Sequence, residues 1–399
     1  MFDIFDVIIP VFIFILILGV VIFAHELGHY LMAIRAGIFV EEFALGMGPK
    51  ILQFKGKKRS TGIREGEEVG DLTLYTLRLL PIGGFCKMRG EDSEIHDDPE
   101  AFNNKPIWSR IMVIAGGSFM NFVLAFVLFF LLVILRGYPV AEVNTIDPVM
   151  PGYASGLQVG DRITHVNGNR VGVYDDFLFM LDMSFGNELD IRVNRGGESV
   201  DLQVTPIWVE NRIVTIYENG EYIEREQEIQ RYLIGFTPGR RFGLLHDRPD
   251  DPNANFERVG IISGVAASSE MINFHVRAPF RLLARLIAGD PMPEDVGVMG
   301  PIGIAGIVTE VYQEVAQFGF LNTLLTMLMF TALINTALGI MNLLPIPALD
   351  GARLIFLFIE GLRKKPVPPE KEATVHLVGI VCLLLLAAFV AYRDIMRLL

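Results

Sequence analysis

Residues 7–34 read VIIPVFIFILILGVVIFAHELGHYLMAI, and this stretch decides the fold of the chain. The only acidic, basic or imidazole side chains in this apolar run are His25, Glu26 and His29. A transmembrane helix needs about 20 mostly apolar residues, and the run is long enough. Ionisable groups at bilayer depth are costly and mark functional sites. The stretch therefore predicts a membrane protein with a functional site inside its first span.

These three side chains form the pattern H-E-x-x-H, which on a helix places two imidazoles at positions i and i+4. They are separated by about 6 Å along the helix axis, so both can reach one zinc ion. Glu26 lies between them and suits a general base that takes a proton from the attacking water. The alternative is a chance match on a solvated helix. A hydrophobic span offers no solvated face, and an unpaired carboxylate there is costly, so we favour the metal site.

The composition predicts several membrane spans, because 51% of the 399 residues are hydrophobic. Runs of the required length occur at 7–34, 108–135, 319–344 and 374–392. The first run is too long for the hydrophobic region of a signal peptide and has no basic region before it. We therefore expect it to be retained.

Basic residues near the ends of the spans predict the orientation. Many Lys and Arg residues occur in 35–107, and the loop after the third span also carries Arg363, Lys364, Lys365 and Lys371. By the positive-inside rule both segments are cytoplasmic. The N-terminus and the segment 136–318 are then expected on the outer side of the inner (plasma) membrane.

A β-hairpin is predicted in the cytoplasmic region 40–105. Residues 72–79 read LTLYTLRL, a β-prone run, and Pro81-Ile82-Gly83-Gly84-Phe85 turns the chain back. Next to a membrane, such a hairpin could approach the active site and pair its free edge with an extended peptide. A purely structural hairpin is equally open.

The outer segment begins with a β-rich pattern from Val143 to Pro206. Turn signals occur at 156–163 and at Asn167-Gly168, and a short helix is predicted at 175–183. A further hairpin pairs 191–193 with 200–204. An insertion with a hairpin signal at Glu218-Asn219-Gly220 is predicted at 207–232, and a last strand at 232–236.

Two further elements are predicted before the third span. Residues 237–258 are rich in Pro, Gly, Asp and Arg and are expected to form an exposed loop. Residues 267–288 predict an amphipathic helix with Arg277, Arg281 and Arg285 at four-residue spacing. This helix suits the bilayer surface, with a soluble packing helix as the alternative.

A zinc site needs a third protein ligand. The third apolar run ends in NLLPIPALDG at 342–351, where two prolines break the helix and Asp350 follows on a segment expected to be irregular. Broken helices at membrane depth occur where they line a cavity or pack inside protein. Asp350 is the best candidate ligand, and an ordinary interfacial Asp is the alternative. Asn342 could donate a hydrogen bond to substrate, and Asn121 is a second polar residue inside a span; for both, helix–helix hydrogen bonding remains open.

With these motifs the chain resembles the site-two protease family of intramembrane zinc metalloproteases (peptidase family M50), and among them the bacterial regulators of sigma-E. The matching stretches are 25–29, 83–85, 116–122 (GGSFMNF), 300–305 (GPIGIA) and 342–351. The resemblance implies that His25, His29 and Asp350 bind Zn²⁺ and that Glu26 is the catalytic base.

It further implies that Asn342 and the hairpin residues Gly83, Gly84 and Phe85 contact the substrate. Its expected substrates are transmembrane segments of other proteins, such as an anti-sigma factor trimmed outside by a first protease, and remnant signal peptides.

The expected architecture is a polytopic α-helical membrane protein with about four transmembrane helices, a membrane-associated β-hairpin and one extracytoplasmic PDZ domain. The better-studied family members of this size carry two PDZ domains in tandem, whereas one PDZ pattern is clear in this chain. The expected parts are a catalytic membrane part at 1–137, the PDZ domain at 138–240, a linker with amphipathic helices at 241–318, and a second catalytic membrane part at 319–399.

Two other classes of function compete with the protease. A non-catalytic membrane scaffold would bind peptide termini through the PDZ domain, and it would need no stoichiometric zinc. A metal transporter would need polar residues along several spans, and the second and fourth spans have almost none. Membrane lipids are the other expected partners. No dense basic block favours nucleic acid.

Overall fold

The computed structural model describes residues 5–56, 72–91, 98–218, 221–245, 257–291 and 300–398. The chain divides into two compact units, Met1–Leu128 with Val298–Leu399 and, separately, Phe129–Gly297. The helices are α1 (Phe5–Arg35), α2 (Ile107–Arg136), α3 (Pro151–Ala154), α4 (Tyr174–Asp182), α5 (Ile261–Ala288), α6 (Pro301–Ala316), α7 (Phe320–Leu343), α8 (Asp350–Arg363) and α9 (Pro369–Leu398).

Among the described residues, four helices are long and apolar enough to cross a bilayer. They are α1, α2, α7 and α9, with apolar spans at Ile8–Arg35, Ile107–Arg136, Phe320–Leu343 and Glu370–Asp394. The four predicted spans are thereby confirmed to within a few residues at their ends. Many apolar side chains on these helices remain exposed, including Phe12 and Leu385, as a lipid environment requires.

The first unit packs its helices around α1. Phe14, Ile17 and Val21 of α1 form one buried cluster with Val308 of α6 and Met327 of α7. The prediction for 241–318 includes amphipathic helices but gives no bounds for α6, which begins at Pro301 directly after Gly300. Its N-terminus is held by α9, because the buried Asp394 carboxylate accepts hydrogen bonds from the backbone N–H groups of Gly300 and Gly303. This contact satisfies donors that a helix start leaves free.

Two long strands of the first unit, β1 (Val40–Lys55) and β2 (Leu74–Met88), bend and interlock. Ala44 pairs with both Phe85 and Thr76, so the first half of β1 lies between the two halves of β2. Thr76 in turn pairs with Gln53 in the second half of β1. The strand segments therefore lie in the order 84–88, 40–45, 74–77, 52–55.

This sheet differs from the predicted hairpin. The turn is present, since Gly83 has a φ of +79°, but the segments before and after it are not neighbours. The sequence pattern of β2 could not reveal that residues 40–45 insert between them, because that pairing depends on a distant segment. As a result, residues 84–88 form one edge of the sheet in the described part of the chain.

The strands of the second unit are β3 (Gly137–Ile146), β4 (Arg162–Val166), β5 (Asn169–Arg170), β6 (Leu189–Arg195), β7 (Glu198–Val204), β8 (Ile207–Glu218), β9 (Glu221–Leu233), β10 (Phe236–Phe242) and β11 (Glu257–Arg258). All of them except β8 and β9 form one mixed sheet. The sheet order is β11-β10-β3-β4-β6-β7, with β5 pairing β4. Helix α4 contributes Phe177 and Leu181 to the core of this sheet. The predicted short helix and the hairpin at 191–204 are both present.

Strands β8 and β9 form a separate antiparallel ribbon at the predicted insertion. Asn219 and Gly220, the centre of the predicted turn, lie outside the described residues. The predicted last strand at 232–236 is wrong, because Tyr232 still belongs to the ribbon, where it pairs with Trp208. Instead β10, at 236–242, pairs with β3. The loop predicted at 237–258 is therefore wrong for its first residues, and 246–256 lie outside the described residues.

Helix α5 confirms the predicted amphipathic helix and begins earlier, at Ile261. The arginines of α5 contact other residues of the second unit, to which α5 itself belongs. Arg277 and Arg281 each lie 3.4 Å from the Oδ1 atom of the buried Asp176 on α4, and Arg285 donates to the carbonyl of Met183 at 2.8 Å. These contacts favour the packing-helix alternative for the basic face of α5.

Candidate metal centre

Helix α1 places the two imidazoles of H-E-x-x-H next to each other. The Nε2 atoms of His25 and His29 are 3.1 Å apart, and both side chains are buried together with Glu26. Residues i and i+4 lie on one face of a helix, so the regular geometry of α1 is sufficient to bring the pair together. The Nε2 atoms of the two rings are directed towards a common position.

Asp350 completes the group from the other end of the chain. Its Oδ2 atom lies 3.1 Å from Nε2 of His25 and 3.2 Å from Nε2 of His29. Helix α7 ends at Leu343, and α8 begins at Asp350 itself. The expectation that Asp350 lies on an irregular segment is therefore wrong; the irregular part is the link 344–349 before it.

The link 344–349 is held by α9. Ala348 has a φ of +76°, a conformation that costs energy for a residue with a side chain. Its backbone N–H donates to Nδ1 of His376 on α9 at 3.0 Å. Local sequence pattern does not single out His376 as a residue of this site. Its contact with the link shows that α9 supports the segment that delivers Asp350.

The three ligand atoms fit a metal ion. His25, His29 and Asp350 are the group of His, Cys and acidic residues in the described chain whose ligand atoms could share one ion. Tetrahedral zinc with bonds of about 2.0–2.1 Å keeps its ligand atoms about 3.4 Å apart. The observed separations of 3.1–3.2 Å are close to that value.

The protonation of His29 supports the same conclusion. Its Nδ1 atom lies 2.9 Å from the carbonyl oxygen of Val113 on α2. A carbonyl can only accept, so Nδ1 carries a proton, and Nε2 is the nitrogen that faces Asp350 and could bind a metal ion. This backbone contact is the kind of outer hydrogen bond that orients a metal-binding histidine.

Two asparagines lie beside His25. The Nδ2 atom of Asn121 on α2 is 3.3 Å from Nδ1 of His25, and Nδ2 of Asn342 on α7 is 3.4 Å from both ring nitrogens. Asn121 is fully buried, and its Oδ1 has no hydrogen-bond partner among the described residues. Both polar residues therefore lie next to the predicted ligands rather than in a remote helix contact.

Helix α2 approaches the imidazoles through Gly117. A Cβ atom on Gly117 would overlap with Nε2 of His29 and would lie 2.7 Å from Cε1 of His25. The sequence showed this residue only as part of the stretch 116–122 and suggested no role for it. The structure shows that the missing side chain makes room for both ring nitrogens.

The edge of the β1–β2 sheet lies against the acidic residue of the motif. A Cβ atom on Gly84 would lie 3.0 Å from Cγ of Glu26 and 2.9 Å from the carbonyl oxygen of Ala44. Of the three hairpin residues predicted to contact the substrate, Gly84 is thus the one brought to Glu26. Gly83 forms the turn, and the ring of Phe85 lies 4.9 Å from the Arg78 guanidinium.

Known proteins resemble this chain over nearly its whole length. The model of peptidase family M50 matches residues 13–386. The regulator of sigma-W protease RasP of Bacillus subtilis is 31% identical, with 96% of this chain and 98% of the relative covered. A putative zinc metalloprotease of Clostridium perfringens is 31% identical over 94% of this chain and 95% of its own length. The zinc metalloprotease RasP of Oceanobacillus iheyensis is 29% identical, with coverage of 96% and 98%.

Proposed function

The chain belongs to peptidase family M50 and is a zinc metalloprotease, and from this premise we propose that it cleaves peptide bonds within or beside the transmembrane segments of other proteins. One observation carries the proposal. The ring nitrogens of His25 and His29, which converge with the carboxylate of Asp350, belong to an apolar helix long enough to span a bilayer. A protease whose active site lies at that depth acts on substrates that reach the same depth.

In this proposal His25, His29 and Asp350 hold Zn²⁺ through Nε2, Nε2 and Oδ2. When bound, the ion supplies Lewis-acid polarisation of the scissile carbonyl and lowers the pKa of water. Glu26 accepts the proton of the attacking water and delivers it to the leaving amine, and its position between the two ligands on α1 suits that transfer. Asn342, within 3.4 Å of His25, donates its side-chain N–H to the substrate carbonyl or to the oxyanion.

We propose that the substrate is bound as an extended strand. A peptide bond inside a helix is shielded by its own turn, so the substrate must unwind before it is cut. The edge 84–88 lies beside Glu26 through Gly84 and offers backbone groups for strand addition. Gly83 and Phe85 then shape the turn at the start of this edge.

Contact with lipid is supported by exposed apolar side chains of the same sheet. The following side chains of β1 and β2 are about half exposed: Met47, Ile51, Leu52, Phe54, Leu77, Leu79 and Leu80. An exposed apolar patch of this size marks an interaction surface. We infer that the patch lies in the membrane interface, which would hold the sheet beside the spans.

The substrate class is the most specific part of the proposal. The Bacillus subtilis relative is named for the regulation of sigma-W. By analogy, we propose that this chain cleaves single-span proteins of the anti-sigma factor type, together with remnant signal peptides. The name of this relative refers to sigma-W, whereas the sequence motifs resemble the regulators of sigma-E.

We also propose the placement of the parts. The catalytic membrane part comprises 1–137 and 319–399, in an inner membrane, with the metal site near the cytoplasmic side. The sheet region 138–240 is a PDZ domain outside the cytoplasm, with the β8–β9 ribbon as its insertion and 241–318 as the linker with amphipathic helices. The support is the excess of Lys and Arg in 35–107 and 363–371 together with the strand and helix pattern around α4.

Reconstitution tests the protease against the scaffold alternative. Purified protein in lipid vesicles is mixed with a labelled single-span peptide, and the products and the zinc content are both measured. We expect one zinc ion per chain, cleavage inside the apolar segment, loss of cleavage on chelation and recovery on adding zinc. A chain that holds no zinc and binds peptide without cutting it would support the scaffold.

A further inference from the structure

Helix α8 carries Asp350 on its first turn and is fixed by an ion pair near each end. Near its start, Arg353 pairs with Glu91, which follows β2. Near its end, Glu360 pairs with Arg110 at the start of α2, with Nη1 of Arg110 at 3.1 Å from Oε2. All four residues belong to the first unit. The two pairs differ in their distance from the metal site.

Arg353 lies beside Asp350. Residues i and i+3 share one face of a helix and are about 4.5 Å apart along its axis. Glu360 is ten residues from Asp350, which corresponds to about 15 Å along α8. We therefore expect a shift at Arg353 to move Asp350 more than a shift at Glu360, which lies almost three turns away.

Glu91 connects this pair to the edge of the sheet. Its Oε2 accepts a hydrogen bond from the backbone N–H of Met88, the last residue of β2, at 3.4 Å. Four residues before Met88 on the same edge is Gly84, which lies against Glu26. A chain of neighbours thus leads from Gly84, beside Glu26, along the edge strand to Met88. From Met88 it continues through Glu91 to Arg353 on α8, the helix that carries Asp350.

Both members of the Arg353–Glu91 pair are partly enclosed, with side chains 32% and 12% exposed. Burial alone would lower the pKa of Arg353, but the charge of Glu91 and its hydrogen bond raise it above the ordinary value. The guanidinium is thus permanently charged. Half-buried pairs of this kind hold geometry because separating them leaves a poorly solvated charge.

We propose that Arg353 is a positioning residue, which through Glu91 sets the place of Asp350 relative to the strand edge 84–88. This inference rests on the proposed function for the role of the edge, while its effect on the metal site is independent of any substrate. Arg353 does not touch the metal or the reacting atoms in this proposal. Its contribution is to hold Asp350, the third ligand, at a fixed position relative to the bound substrate strand.

The apolar side of α8 makes this role separable from folding. Leu354 and Leu357 pack into the cluster that contains Ile38 and Val113, and the Arg110–Glu360 pair holds the other end of the helix. That second pair is also enclosed, with side chains 10% exposed for Arg110 and 17% exposed for Glu360. It provides a matched control on the same helix.

The test compares zinc affinity and kinetics in the full-length protein. Arg353→Met and Glu91→Gln are each compared with Glu360→Gln, using a competing chelator to measure zinc affinity and a single-span peptide to measure kcat and KM. Loss of outer contacts to a metal ligand weakens metal affinity about 10–100-fold. We expect that loss for Arg353→Met and Glu91→Gln, with a lower kcat at saturating zinc and an unchanged KM. We expect no change in either quantity for Glu360→Gln.

A charge exchange gives the decisive comparison. The double variant Glu91→Arg with Arg353→Glu should recover part of the zinc affinity lost by either charge reversal alone. Wild-type zinc affinity in Arg353→Met, or a loss no larger than that of Glu360→Gln, would overturn the proposal. If the wild-type protein binds zinc but cuts no membrane peptide, the proposed function fails, and the zinc comparison still decides the role of Arg353.

Discussion

Gly117 on α2 faces His29 on α1 so closely that a single added methyl group would overlap with Nε2, the nitrogen that points towards Asp350. The same methyl group would also lie 2.8 Å from Nε2 of His25. Because both imidazoles would bind the metal through these Nε2 atoms, the space left by the missing side chain of Gly117 is part of the metal site. The close approach of α2 is thus a condition for the ligand geometry.

Gly117→Ala is expected to displace both imidazoles and to abolish stoichiometric zinc binding and proteolysis while the protein still inserts into the membrane. The measurement is zinc per chain in purified protein. Gly19→Ala on α1 is the control, because a Cβ atom there meets nothing within 4 Å. Full zinc occupancy in Gly117→Ala would show that the close approach is not needed.

Asn121 is expected to orient His25. For Nε2 of His25 to present a lone pair, Nδ1 must carry the proton and needs an acceptor. Rotating the Asn121 amide by half a turn supplies Oδ1, which otherwise has no partner among the described residues. Asn121→Ala should therefore weaken zinc affinity about 10–100-fold, as measured by chelator competition.

Asn335→Ala is the matched control for Asn121→Ala. Asn335 is also a fully buried amide inside a span, but its Nδ2 donates to the carbonyl of Thr331 in its own helix. Equal zinc losses in the two variants would mean that a general packing defect, and not the contact with His25, is responsible.

Gly84→Ala tests the edge strand. The new methyl group would press on Glu26 and on the backbone of Ala44, so the strand must move away from the base by a few tenths of an ångström. Small misplacements in an active site cost up to about 100-fold in rate. We expect kcat to fall about 10–100-fold while zinc content stays at the wild-type level. An unchanged kcat would show that the edge strand 84–88 has no part in catalysis.

Local sequence patterns were sufficient for the parts of the fold that depend on nearby residues. The four spans follow from apolar length, α4 and the β6–β7 hairpin from short-range pattern, and the His25–His29 pair from helix spacing. Asp350 could be selected as a candidate because a helix break precedes it.

The remaining features depend on contacts between distant segments. The insertion of residues 40–45 between the halves of β2 is invisible in either strand alone, since both read as β-prone. The roles of Gly117 and His376 likewise come from helices that meet only in the folded chain. Strand β10 was missed because its Pro and Gly residues resemble a loop, while pairing with β3 overrides that local preference.

The decisive measurement is the cleavage rate of Glu26→Gln beside its zinc content, in the full-length protein reconstituted with a single-span substrate. The amide keeps the size of the side chain but cannot take a proton from water, and general base catalysis contributes about 10²–10⁴-fold. We expect one zinc ion per chain, as in the wild type, with cleavage reduced by at least that factor. Cleavage by Glu26→Gln at the wild-type rate would contradict the assignment of the H-E-x-x-H helix as the catalytic centre.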